Sequence, residues 1–155
     1  RLLRDAQVFP IWEGTTNVLS LDLLRAIEKE NALPAYVGDI KSRLSSILKD
    51  SMATQQMSSS VASVVGALQD LESYFARITA SGPLGASDLQ TSARYFAFSI
   101  GNIYAAVLMI EFAIHTKDLK DIEVARRWCT HRKLFEVHET NARAQFANSE
   151  IIKSI

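Results

Sequence analysis

Tyr95-Phe96-Ala97-Phe98-Ser99-Ile100-Gly101-Asn102-Ile103-Tyr104-Ala105-Ala106-Val107-Leu108-Met109-Ile110-Glu111-Phe112-Ala113-Ile114 is the stretch whose reading decides the fold. As a helix it is nearly long enough to cross a bilayer. Ser99, Asn102 and Glu111 interrupt it, and Arg94 and Lys117 bracket it. A carboxylate within an apolar run is costly unless it is paired. The stretch therefore reads as a central helix packed on several sides, with Glu111 bound to a basic residue of a neighbouring helix, Arg126 or Arg127. The expected bounds are about 88–115, with Ser87 as the cap and Asp88 favourably near the positive end.

Working outward, Ser81-Gly82-Pro83-Leu84-Gly85-Ala86 is the strongest break in the chain. Before it, Val61, Val64, Val65, Leu68, Leu71, Phe75 and Ile78 form one helical stripe of core type. Residues 50–60 are rich in Ser, Gln, Thr and Met and read as a loop or a continuing helix. A surface helix is expected over about 34–50, with Pro34 in its first turn and Tyr36, Val37, Ile40, Leu44, Ile47 and Leu48 at helical spacing. Another is expected over 16–30, buried on several sides by Val18, Leu19, Leu21, Leu23, Leu24, Ala26 and Ile27. Asp22 and Arg25 interrupt that apolar surface as a partly buried polar pair, a solvated edge or a ligand contact.

Downstream of the central stretch, Lys117-Asp118-Leu119-Lys120-Asp121 is a charged turn. Helices over about 121–135 and 139–152 follow it. Neither strand-like alternation nor an internal repeat appears, so the expected fold is all-α, a bundle of five to six helices.

The chain has 155 residues, 48% of them hydrophobic and 22% charged, which suits one packed globular unit and not a disordered one. With 17 basic and 17 acidic residues the net charge is zero, so no overall field recruits nucleic acid or an anionic membrane. The single cysteine, Cys129, excludes an internal disulfide and suits a reducing compartment inside the cell, mitochondrial or cytoplasmic. His115, His131 and His138 share no ligand spacing with carboxylates or Cys129, so no metal site is expected. Arg126, Arg127, His131, Arg132 and Lys133 form a basic cluster around Trp128. Asp121, Glu123, Glu136 and Glu139 flank it, so it reads as a helix of paired arginines before it reads as a phosphate surface.

Only one segment carries chemistry: Arg4-Asp5-Ala6-Gln7-Val8-Phe9-Pro10-Ile11-Trp12-Glu13-Gly14-Thr15-Thr16-Asn17. Phe9, Ile11 and Trp12 would desolvate Glu13 and raise its pKa, which makes a glutamate a usable base near neutral pH. Gly14 lets a ligand pass close to the backbone. Thr15 or Thr16 can cap the helix that opens near Asn17, so free N–H groups point back toward Glu13.

This string, with the Leu-rich helix that closes on Arg25, closely resembles the acyl-CoA dehydrogenases over roughly residues 1–30. The resemblance implies that Glu13 is the base that removes the α-proton of a fatty acyl-CoA thioester. Flavin (FAD) takes hydride from the β-carbon. On the same basis Gly14, Arg25 and Trp12 would contact substrate, and Thr15, Thr16 and Asn17 would lie against the flavin nucleotide. Asn17 stands where many relatives have glutamine, and Trp12 replaces the more usual tyrosine. The motif lies so near Arg1 that the chain reads as a C-terminal fragment, with the flavin cradle upstream and the fragment inactive by itself. The division this implies is 1–33 as the end of the dehydrogenase helical domain and 34–155 as an appended helical domain of the long-chain type. Expected partners are fatty acyl-CoA, the remainder of the dehydrogenase chain and further copies in a homo-oligomer; nucleic acid is not expected. The alternative is a non-catalytic helical module for oligomerisation, peripheral membrane docking or nucleic-acid association.

Overall fold

The computed structural model describes residues 15–137. Trp12, Glu13, Gly14, His138 and the expected helix over 139–152 lie outside the described residues. Among the described residues every regular element is a helix, and seven helices follow one another with very short connections. These are α1 (Thr16–Glu30), α2 (Ala32–Ile47), α3 (Ser51–Gln56), α4 (Ser58–Ala80), α5 (Gly82–Thr91), α6 (Ala93–Thr116) and α7 (Leu119–His131). The all-α reading holds. Two short helices occupy stretches that look like breaks.

One of these is α3, in the Ser- and Gln-rich region. The other, α5, lies where Gly82 and Pro83 suggested a turn. Gly82 takes φ +60, a left-handed backbone that glycine adopts without strain, and Pro83 then sits in the first turn of α5. The central helix consequently starts at Ala93, not near 88, and Ser87 lies inside α5 instead of capping anything. What ends α5 is Ser92. Its buried hydroxyl donates to the Asp88 carbonyl at 2.8 Å and pairs with the Tyr74 hydroxyl at 2.6 Å. Gly85 explains the tight α4–α5 contact, because a Cβ there would overlap the Ile78 carbonyl oxygen. Between α1 and α2 the turn is one residue, Asn31 at φ 51, a residue type that tolerates the left-handed region.

Helix α6 is the axis of the bundle and packs against α7, α1, α4 and α2. Phe96, Ser99, Ile103, Ala106, Val107, Ile110 and Ala113 on it are fully buried. They meet Val64, Leu68 and Leu71 of α4, Ile40 and Leu44 of α2, and Ile122, Ala125 and Cys129 of α7 in one continuous core. The stripe expected on α4 is therefore core. After α7 the chain runs extended and stays pinned: the Glu136 N–H donates to Ser99 Oγ at 3.0 Å, and Leu134 and Val137 are buried.

Two expectations are corrected by the packing. Glu111 does bind a basic residue of a neighbouring helix, but that residue is Arg43 of α2, at 2.7 Å. Arg126 and Arg127 instead pair with Glu123 on their own helix, at 3.0 and 2.8 Å. The second correction concerns α1, which is not buried on several sides. Only Ser20 and Ile27 are buried, with Leu23 and Leu24 partly so, while Val18, Leu19 and Leu21 are exposed. The helix uses one narrow face, at positions 20, 23, 24 and 27, to dock on the bundle.

Candidate functional site

The residues expected to touch cofactor, Thr15, Thr16 and Asn17, lie together on the exposed first turn of α1. Thr15 is extended (φ −67, ψ 163), and its carbonyl accepts the first helical bond, from the Leu19 N–H at 3.1 Å. It occupies the cap position, yet among the described residues no side chain caps the turn, and the first turn holds no acidic residue. This exposed turn stands at the positive end of the helix dipole, where an anionic or carbonyl oxygen is favoured. Ser20 is turned inward and donates to the Thr16 carbonyl at 2.6 Å, which ties this turn to the buried face.

Arg25 does not join that turn. It lies nine residues from Thr16, roughly 14 Å further along the axis at the standard helical rise. There it makes an exposed ion pair with Asp22 at 2.5 Å, which corrects the reading of a partly buried polar pair.

Two concavities border the inner face of α1, and nothing in the residue pattern announces them. A cleft of about 330 Å³ between α1, α4 and α5 is lined by Leu24, Ile27, Phe75, Ile78 and Leu89, with Glu28 and Gln90 at its polar edge. A shallower groove runs over Leu33, Val37 and Phe75 toward the Lys41–Glu72 ion pair, which closes at 2.9 Å. Sequence spacing could not reveal either, because each forms where three helices meet.

Elsewhere polar groups serve packing. Arg43 donates to Asp39 at 2.8 Å as well as to Glu111, lies 5.6 Å over the Tyr104 ring, and Tyr104 donates to Asp39 at 3.0 Å. The Arg43 hydrogen bond, then that of Tyr104, holds the Asp39 carboxyl below its ordinary range. Burial, with Tyr104 nearby, pushes the Tyr36 hydroxyl far up, and it donates to the Ile100 carbonyl at 2.8 Å. In the basic cluster, Arg132 stacks 4.4 Å over Trp128 and donates to Asn102 at 3.1 Å. Among the described residues no group of three His, Cys, Asp or Glu side chains is placed to hold a metal ion.

Comparison with known proteins fits this architecture. A family model described as acyl-CoA dehydrogenase 11 C-terminal domain-like matches residues 31–154. Acyl-CoA dehydrogenase family member 11 of Caenorhabditis elegans is 38% identical over 139 residues, covering 88% of this chain and 22% of that protein. The crystal structure of Caenorhabditis elegans ACDH-11 in complex with C11-CoA superposes with a TM-score of 0.82 at 36% identity. That match covers 97% of this chain and 26% of the solved one. The chain thus spans about a quarter or less of these relatives' length. With its helical order, its match to the family over most of its residues and its likeness to ACDH-11, this chain belongs to the acyl-CoA dehydrogenase 11 C-terminal domain-like family.

Proposed function

We propose that this chain serves as the C-terminal part of a flavin-dependent acyl-CoA dehydrogenase that introduces a double bond between the α and β carbons of a fatty acyl-CoA thioester. The observation that carries the reading is the exposed start of α1 directly after Glu13-Gly14 in sequence, in a fold like that of a protein solved with C11-CoA. Glu13 removes the α-proton. Gly14 and Trp12 flank the thioester, the glycine leaving space and the indole excluding water. Thr15, Thr16 and Asn17 offer hydroxyl, amide and free backbone N–H groups to the flavin nucleotide. An exposed first turn in which Thr15 makes no side-chain capping bond and no acid stands supports a phosphate-bearing group such as FAD there. When bound, FAD supplies the acceptor for the β-hydride. Arg25, held by Asp22, faces outward for an acidic group of the ligand.

The family match from residue 31 supports a division close to that expected, with 1–33 belonging to the dehydrogenase body and 34–155 appended to it.

The test is Glu13→Gln in the full-length flavoprotein. Loss of turnover by about a thousandfold or more, within the range by which a positioned base accelerates proton transfer, with acyl-CoA affinity unchanged, is the expected result. Retained turnover would remove Glu13 from the role of base.

A further inference from the structure

Near the start of α1 the usual sorting of side chains is inverted. Leu19 and Leu21 are 55% and 45% exposed, while the serine between them, Ser20, is only 2% exposed. Apolar side chains ordinarily take the buried position and hydroxyls the open one. A buried hydroxyl is costly without a partner, and Ser20 finds one locally by donating to the Thr16 carbonyl at 2.6 Å.

The inversion has a geometric reason. Helix α1 packs on α6 and α2, and its inner line runs through Ser20, Leu23, Leu24 and Ile27, small at the first position and large at the others. The distance between packed helices follows the size of the side chains at their contact. A helix seated on a serine at one end and on leucine and isoleucine beyond it lies nearest the bundle at the serine. The two concavities beside α1 agree. The cleft of about 330 Å³ is lined on α1 by Leu24, Ile27 and Glu28, and the shallower groove by Ile27, so neither reaches Ser20. The helix is flush with the bundle at Ser20 and stands off from it further along.

We propose that Ser20 is the positioning residue for the turn 15–17, fixing the height and angle at which that turn meets flavin; this rests on the cofactor contact proposed above. Ser20 is the first buried residue of α1. Thr16 lies one helical turn before it, about 6 Å along the axis. The bond from Ser20 holds that turn by its backbone, so it does not engage the side chains offered to the cofactor. A larger side chain at position 20 lifts the end of α1 that carries the turn. Truncation at Ile27 loosens the opposite end and leaves the turn where it is.

The test uses the full-length flavoprotein, with FAD affinity and melting temperature read in parallel. Ser20→Leu should raise the FAD dissociation constant by about tenfold, roughly the worth of one hydrogen bond. Ser20→Ala, which loses the bond and keeps the close approach, should raise it less. Ile27→Ala should lower the melting temperature more than either Ser20 variant and leave FAD affinity within about twofold, since the cavity it makes costs stability at a distance from the turn. Unchanged FAD affinity in both Ser20 variants, or affinity that falls in step with melting temperature across all three, would overturn the proposal. Asn17→Ala separates the two levels. If it weakens FAD binding while the Ser20 variants do not, only the positioning role falls. If it too leaves FAD binding unchanged, the cofactor contact falls, and the role of Ser20 with it.

Discussion

Arg43 joins Asp39, Glu111 and the Tyr104 ring in one contact set between α2 and α6. A guanidinium can serve both carboxylates because its donors form a planar fork, which an ammonium lacks. Arg43→Lys should therefore lower the urea midpoint, and Arg43→Met should lower it further. The pH dependence has a definite sign. Asp39 is held below its usual 3.8, so the folded state releases that proton more readily than the unfolded chain. Its contribution is complete above about pH 4 and is lost as pH falls through the lower folded value. Glu123, held down first by Arg127, acts in the same direction from its usual 4.5. Acid titration of the urea midpoint should fall less steeply in Arg43→Met than in wild type. At Cys129 burial pushes the thiol up, offset in part by the Ser60 hydroxyl. A thiol reagent at neutral pH should label it only as fast as the chain unfolds.

At the scale of elements, α5 is where packing dominates local sequence. Gly85 meets the Ile78 carbonyl so closely that Gly85→Ala must displace backbone. We expect a loss of about 1–3 kcal/mol, the range for overpacking, measured by urea denaturation. Ser92→Ala removes the hydroxyl that ends α5 and should cost about 1 kcal/mol. The same region marks what residue patterns can convey. Where one apolar stripe faces one core the pattern sufficed, and Val61, Val64, Leu68, Leu71 and Ile78 are buried; on α1 it gave the bounds 16–30 but not the one-sided burial. Thr91-Ser92-Ala93 contains neither glycine nor proline, so the break there could not be read; the Ser92 hydroxyl at it pairs with Tyr74, 18 residues away. The Glu111 partner is 68 residues distant for the same reason. Of the candidate site, the turn 15–17 and the Asp22–Arg25 pair were legible because they are local. The clefts beside α1 were not, since they exist only after three helices meet.

For the whole molecule, coverage of about a quarter of a solved relative means that most of that relative's chain has no counterpart among these helices. The purified chain should bind no stoichiometric flavin and show no acyl-CoA oxidation, as read by visible absorbance and an electron-acceptor assay. Positioning supplies much of an enzyme's rate, and most positioning groups would be elsewhere. The one-sided docking of α1 has a further consequence, expressed in time. Its later turns, around Ile27, are fastened to the bundle, whereas residues 15–19 are open to solvent. In hydrogen–deuterium exchange, amides beyond Leu24 should keep pace with the core of α6, and those near Leu19 should exchange orders of magnitude sooner. The turn proposed to meet the cofactor would then be the last part of α1 to become rigid, and its exchange would slow only where further chain or ligand covers it.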